Sequence, residues 1–159
     1  MLRHAKSDWR AVAADDAERP LSRRGRRAAK AMGQLLARSR ELPDRALTSP
    51  ALRAASTLRL AMEAGGWSCP VETCPELYAG PDEVLDLLRR ERDDTGVLLV
   101  VGHEPTLSSL AGALVGGARL RLPTAAMLRI DFDEDHWEAL APGAGQVMWL
   151  VVPSLLAGG

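Results

Sequence analysis

The apolar residues of this chain alternate between two rhythms. Over Ser22 to Arg40, Ala28, Met32, Leu35 and Leu36 recur at helical spacing, while Arg23, Arg24, Arg26, Arg27 and Lys30 fall mostly elsewhere. This predicts a helix capped by Ser22 and ended by Leu42-Pro43-Asp44. Ala46 to Thr48 predicts a short strand. Ser49-Pro50 then opens a second helix, with proline in its first turn, a stripe of Ala51, Ala55, Leu58 and Met62, and a stop at Gly65-Gly66. Val71 to Cys74 reads as a brief extended segment, and Pro81-Asp82 starts a helix with Val84, Leu85, Leu87 and Leu88 inside. Gly96 to Val101 is the clearest strand, because its unbroken apolar run predicts burial on both faces. Pro105-Thr106 opens a helix that Gly116-Gly117 ends. Met127 to Phe132 alternates as a strand, a turn at Asp133-Glu134-Asp135 leads to His136 to Leu140, and Gln146 to Val152 is a final strand closed by Pro153. Residues 1 to 3 look like the end of a strand, and Ser7 to Pro20, with no sustained period, reads as a loop.

Strands alternating with helices predict a three-layer α/β/α fold on a mainly parallel sheet with right-handed crossovers. The last two strands form an antiparallel hairpin at one side. A length of 159 residues suits a single domain spanning 1–159. The formal net charge of −1 excludes a field that would draw the whole molecule to nucleic acid or anionic lipid. No apolar run is long enough to span a membrane and there is no signal-peptide core, so the expected location is the cytoplasm. Cys69 and Cys74, if the segment between them is extended, stand roughly 16 Å apart, too far for a disulfide. Two cysteines without flanking histidines also make a poor zinc site.

Chemistry enters at three run ends. Arg3-His4, Ser49 to Arg53, and Gly102-His103-Glu104 each lie just past a predicted strand. In open α/β sheets the functional crevice lies outside the carboxyl ends of the strands, so parallel strands carry all three to one edge. Two imidazoles and several guanidiniums meeting there are the parts for handling a phosphoryl group. Arginine matches phosphate oxygens with a fixed fork of donors, and a neutral imidazole can attack phosphorus through one nitrogen while the other donates to the backbone.

Leu-Arg-His-Ala at 2–5, Glu-Arg-Pro-Leu-Ser at 18–22, Thr-Ser-Pro-Ala-Leu-Arg-Ala at 48–54 with Thr57, and Val-Gly-His-Glu-Pro at 101–105 together resemble the histidine phosphatase (phosphoglycerate mutase-like) superfamily. More narrowly, they resemble its small SixA-type phosphohistidine phosphatases. The resemblance implies a phosphoglycerate mutase-like fold in which His4 is the nucleophile and carries the phosphoryl group. Arg3, Arg19 and Arg53 would bind its oxygens, and His103 would donate to them. It implies no cofactor and no metal, the cationic side chains taking the metal's place. The general acid is open between Glu76, near the start of the middle insertion, and Asp8. Alanine stands at position 5 where glycine is often found, and Glu104 stands where asparagine is frequent. Relatives also run several apolar residues ahead of Arg-His, whereas only Met1 and Leu2 precede it here. Either the true start lies upstream or the site is loosely held, and apolar residues added upstream are expected to raise stability and activity.

The expected function is therefore a phosphatase acting on phosphohistidine in a signalling or phosphotransfer protein. The short stretch from Trp67 to Thr95 leaves no room for a lid around small metabolites. The alternatives are a phosphatase for a small phosphomonoester and a non-catalytic phosphate-binding module on the same fold. The expected partner is a phosphorylated protein or a small phosphorylated substrate, without nucleic acid or membrane, and the chain is expected to be a monomer or weak dimer. His136 is expected to be structural. Arg23, Arg24, Arg26 and Arg27 read as a solvated helix face, with docking of an acidic partner domain left open. Lys6 has no assigned role, Trp9 is a rim candidate, and Trp67, Trp137 and Trp149 read as packing residues.

Overall fold

The computed structural model describes residues 1–13 and 15–156. Six strands form one sheet: β1 (Leu2–Arg3), β2 (Arg45–Thr48), β3 (Val71–Thr73), β4 (Leu98–Gly102), β5 (Met127–Phe132) and β6 (Gly145–Val151). Their order across the sheet is β3-β2-β4-β1-β5-β6. The first four are mutually parallel, β5 runs antiparallel to β1, and β6 closes the hairpin against β5. The helices are α1 (Arg23–Ser39), α2 (Leu52–Gly65), α3 (Pro81–Arg89), α4 (Thr106–Leu114) and the four-residue α5 (Pro153–Leu156).

Period-two alternation in the strands sorts the core into two layers. Ala46, Leu99, Val101, Met127 and Leu2 face Met32 and Leu36 of α1 and Ala54, Leu58 and Ala61 of α2. Leu47, Val100 and Leu128 point the other way, onto Val84, Leu85 and Leu88 of α3 and Leu107, Leu110 and Leu114 of α4. This is the expected α/β/α arrangement, with β4 near its middle.

Three boundaries differ from expectation, each for a local reason. Helix α1 stops at Ser39, ahead of Pro43, because Arg40 turns left-handed (φ 58°) and returns its N–H to Ala37 and Leu36. Pro50 precedes α2 instead of lying in its first turn, since Ala51 is extended and its N–H is held by Ser49 Oγ. Strand β4 begins at Leu98, because the Val97 N–H is taken by the Asp44 carboxylate. Two short 3-10 turns, Pro75–Tyr78 and Trp137–Ala139, had no periodic signal to announce them. The second occupies the stretch from His136 to Leu140.

A cavity of about 720 Å³ opens at the amino-terminal edge of the sheet, bounded among others by Met1, Leu98, Leu99, Met127 and Arg129. None of His4, His103, Arg3 and Arg53 lines it. Cys69 and Cys74 are free thiols. No helix among the described residues is long and apolar enough to cross a membrane.

Candidate active site

Strand β1 is only two residues long, yet it is fastened on both sides. The His4 N–H donates to the Gly102 carbonyl and the Arg3 N–H to that of Ala126. Just past β1, the Ala5 N–H donates to Thr57 Oγ1, whose own hydroxyl donates to the Arg53 carbonyl one turn back on α2. Thr57 thereby couples the backbone beside His4 to the residue that presents Arg53. The Lys6 carbonyl accepts both the N–H and the hydroxyl of Ser22, the N-cap of α1. Gly25 must be glycine at this crossing, because a Cβ there would lie 2.2 Å from the Lys6 oxygen.

These fastenings bring His4 and His103 together with ring centroids 5.0 Å apart. His4 Nδ1 lies 2.8 Å from the Ala5 carbonyl, an atom that can only accept, so Nδ1 carries the proton and Nε2 keeps its lone pair. The His4 pKa is pushed down to about 4, first by burial and then by the Arg53 and Arg3 charges, against the Ala5 hydrogen bond and Asp16, which raise it. His103 is also pushed down to about 4, by burial, then His4, then Arg53. Both rings are therefore neutral at physiological pH. His103 Nε2 is 2.7 Å from Ser49 Oγ, and Tyr78 stacks on its ring at 4.7 Å and 12°.

The guanidiniums are held by their edges. Arg3 Nη1 donates to the Leu122 carbonyl, and buried Arg53 gives Nη1 to both the carbonyl and the carboxylate of Asp16 at 2.7 and 3.0 Å. Asp16 also accepts from Arg19 Nε at 3.1 Å, so one carboxylate braces two arginines. Those two arginines, Arg19 first, hold its pKa below the usual carboxylate range. The Arg19 guanidinium also lies 4.0 Å from the centre of the Trp9 ring. Arg3 Nε and His103 Nδ1 are buried without a partner among the described residues. Arg45 Nε, at the start of β2, is buried in the same way but has the Glu91 carboxylate at 3.2 Å.

The two candidate acids have partners of their own. Glu76 pairs with Arg90 at 3.3 Å, half exposed, and Asp8 caps the Arg10 N–H. Glu104 is also accounted for: its carboxylate accepts the Ser108 N–H in the first turn of α4. His136 is far from the site, exposed and paired with Asp93. Trp67 and Trp137 donate their indole N–H groups to the carbonyls of Gly33 and Thr95, and Trp149 donates to Glu41. Sequence reasoning assigned no role to Asp16, Ser49 or Tyr78. Ser49 lies inside the Thr48-Ser49-Pro50 motif, whereas Asp16 falls in an aperiodic loop and Tyr78 in the 3-10 turn. Among the described residues, no cluster of three or more His, Cys, Asp or Glu side chains is placed to hold a metal ion.

A parallel-sheet edge that gathers two neutral imidazoles and two braced guanidiniums defines an α/β protein with a site for a tetrahedral oxyanion. Residues 1–79 match the model of the histidine phosphatase superfamily (branch 1). An uncharacterized protein of Mycobacterium tuberculosis is 34% identical over 165 residues, spanning 96% of this chain and 99% of its own. The protein histidine phosphatase SixA solved with tungstate superposes with a TM-score of 0.84 at 26% identity, covering 98% of this chain and 96% of that one. A SixA-type structure from Nakamurella multipartitia gives 0.79 at 30% identity, covering 96% and 93%. The alpha-ribazole phosphatase of Shigella flexneri shares the fold, with a TM-score of 0.68 at 20% identity over 85% of this chain and 90% of its own. The chain belongs to the histidine phosphatase superfamily, among its SixA-type members, and phosphatase activity is the function that membership supports.

Proposed function

We propose that this protein is a phosphatase that works through a phosphohistidine on His4 and acts on phosphohistidine carried by another protein. The observation that carries the reading is His4 itself: neutral, its Nδ1 proton committed to the Ala5 carbonyl, and its ring 5.0 Å from His103 between Arg3 and Arg53. The Nε2 lone pair attacks phosphorus and forms the P–N bond. The bond from phosphorus to the leaving atom breaks, and its electron pair departs with the leaving group. Water then attacks phosphorus, the P–N bond returns its pair to His4, and the water's protons leave with phosphate and solvent. Arg3 and Arg53, with Arg19 behind them and His103 beside them, stabilise the charge that spreads over the phosphoryl oxygens. Removing one such donor typically costs about 10²–10³ in rate.

A protein substrate fits the leaving-group problem. Glu76 pairs with Arg90 and Asp8 accepts the Arg10 N–H, and an imidazole that leaves already protonated needs no acid, whereas an alkoxide does. The single domain is expected to act as a monomer or weak dimer without a metal. The decisive experiment compares wild type with His4→Ala on phosphoramidate, a phosphohistidine-bearing protein and a panel of phosphorylated metabolites, with acid-labile phosphoenzyme as a second readout. Turnover and phosphoenzyme in wild type alone are expected, highest on phosphohistidine. Equal and slow turnover by both proteins would defeat the enzyme reading, and a metabolite turned over fastest would redirect it to a small phosphomonoester.

A further inference from the structure

Half of the eighteen arginines of this protein are spent on ion pairs: Arg10, Arg19, Arg45, Arg53, Arg59, Arg89, Arg90, Arg92 and Arg129 each meet a carboxylate. The exposed cations Lys6, Arg23, Arg24 and Arg27 make no ion pair among the described residues. They lie together, because the Lys6 carbonyl is bonded to the N-cap of the helix that carries the arginines. They also lie beside the site, since Lys6 is two residues from His4. The helix would be better served by acids here: its first turn has none, and cations at that end oppose the helix dipole. At the edge of this face stands Trp9, 73% exposed, on the loop that leads to Arg19. The other flank is opposite in sign, with Asp82 and Glu83 opening α3 after Tyr78.

We propose that Lys6, Arg23, Arg24 and Arg27, with Trp9 at their edge, form a docking face for an acidic protein surface that carries the phosphohistidine. This rests on the protein-substrate reading above. The chemistry of the partner follows from the surface. A phosphohistidine flanked on one side by carboxylates would lay them across α1 while its phosphoryl group enters between His4 and His103. Basic flanking residues would meet bare arginines. Complementary fields of this kind act mainly on the rate of encounter and on discrimination between partners, and they fade with salt.

The test uses two synthetic phosphohistidine peptides, one flanked by four glutamates and one by four lysines, with phosphoramidate as a reporter of the site alone. Wild type should favour the acidic peptide by about tenfold or more in kcat/KM at low salt, with the gap closing near 0.5 M salt. The variant R23E/R24E/R27E should reverse the preference and keep its phosphoramidate rate. Its glutamates suit the helix end, so its melting temperature should hold or rise. Binding of the same peptides to His4→Ala protein, read by fluorescence anisotropy, reports docking even without turnover. Loss of phosphoramidate hydrolysis in wild type would sink the catalytic reading and leave the docking result standing on that binding arm. No preference between peptides, a preference that survives the triple variant, or tighter binding of poly-uridylate than of the acidic peptide would overturn the docking proposal.

Discussion

Three histidines in one chain allow the electrostatics of the site to be read directly. Burial and neighbouring cations push His4 and His103 down to about 4, whereas exposed His136 is raised by its hydrogen bond to Asp93. Imidazole resonances followed by NMR should therefore split, with His136 titrating above the ordinary value near 6.5 and the other two well below it. The sign for stability follows. A histidine with a depressed folded pKa takes up protons more readily when unfolded, so its neutral burial costs nothing above about 6.5 and destabilises the fold as pH falls towards 4. At pH 5, a shift from 6.5 to about 4 corresponds to about 2 kcal/mol for one imidazole. For the pair, with the more exposed His4 discounted, it comes to about 3–4 kcal/mol. The Met1 amine, pushed down to about 5 by burial, adds a slope of the same sign, so the comparison must be with a variant. His103→Gln should lose about 2 kcal/mol less than wild type between pH 7.5 and 5 in denaturant titrations. His136 has the opposite sign, and its share fades as pH rises through its raised value. Asp16, held low, loses its contribution only as pH falls below about 4, outside this window. Three histidines titrating together near 6.5, or equal pH slopes for wild type and His103→Gln, would refute the claim that burial keeps His4 and His103 neutral.

Three further perturbations probe the supports of the site. Ser49→Ala removes the 2.7 Å partner of a buried ring, and kcat/KM on phosphoramidate should fall about tenfold, with Ser49→Thr restoring most of it; an unchanged rate would remove Ser49 from the positioning of His103. Gly25→Ala drives a methyl against the Lys6 carbonyl, so it should cost about 1–3 kcal/mol in chemical unfolding and lower activity as well. Adding three or four apolar residues ahead of Met1 should continue β1 between β4 and β5 into the cavity bounded by Leu98, Leu99 and Arg129. Each buried apolar side chain contributes about 1.5–3 kcal/mol against about 1–2 kcal/mol of backbone ordering, so calorimetry should show the melting temperature rise by several degrees. An unchanged melting temperature would show that the two-residue strand suffices.

The parts of the site legible in the sequence are those set by topology. Once Ala46 to Thr48 and Leu98 to Gly102 are parallel strands, whatever follows them arrives at the same edge, and the chain's order carries His4, Arg53 and His103 there without further information. What periodicity cannot encode is the choice of partner by a long polar side chain. Glu76 opens the 3-10 turn after β3, and its carboxylate is 3.3 Å from Arg90, a partner that no periodicity announces. Asp16 is the converse. It lies in an aperiodic loop, but the Leu52 N–H bonds the Ala17 carbonyl and the Arg53 guanidinium bonds Asp16 itself, so the loop is drawn over the start of α2.

The same contrast bears on what the site is built to do. In the proposed mechanism, the charge that lowers the transition state is preorganised by groups of the protein itself: the Leu122 carbonyl holds Arg3, the Asp16 carboxylate holds Arg53 and Arg19, and the Ser49 hydroxyl and Tyr78 ring hold His103. Asp16, the carboxylate whose charge reaches both histidines, is held ionised by its two arginines and so carries no proton to give at neutral pH. Under the proposed function, a site that holds cations for phosphoryl oxygens and an ionised carboxylate favours substrates whose leaving group needs no added proton. That selection acts through chemistry, whereas the unpaired cations on α1 would act through encounter. The two are separable: leaving-group basicity should govern kcat across small substrates, and salt should govern kcat/KM only when the phosphohistidine arrives on an acidic chain.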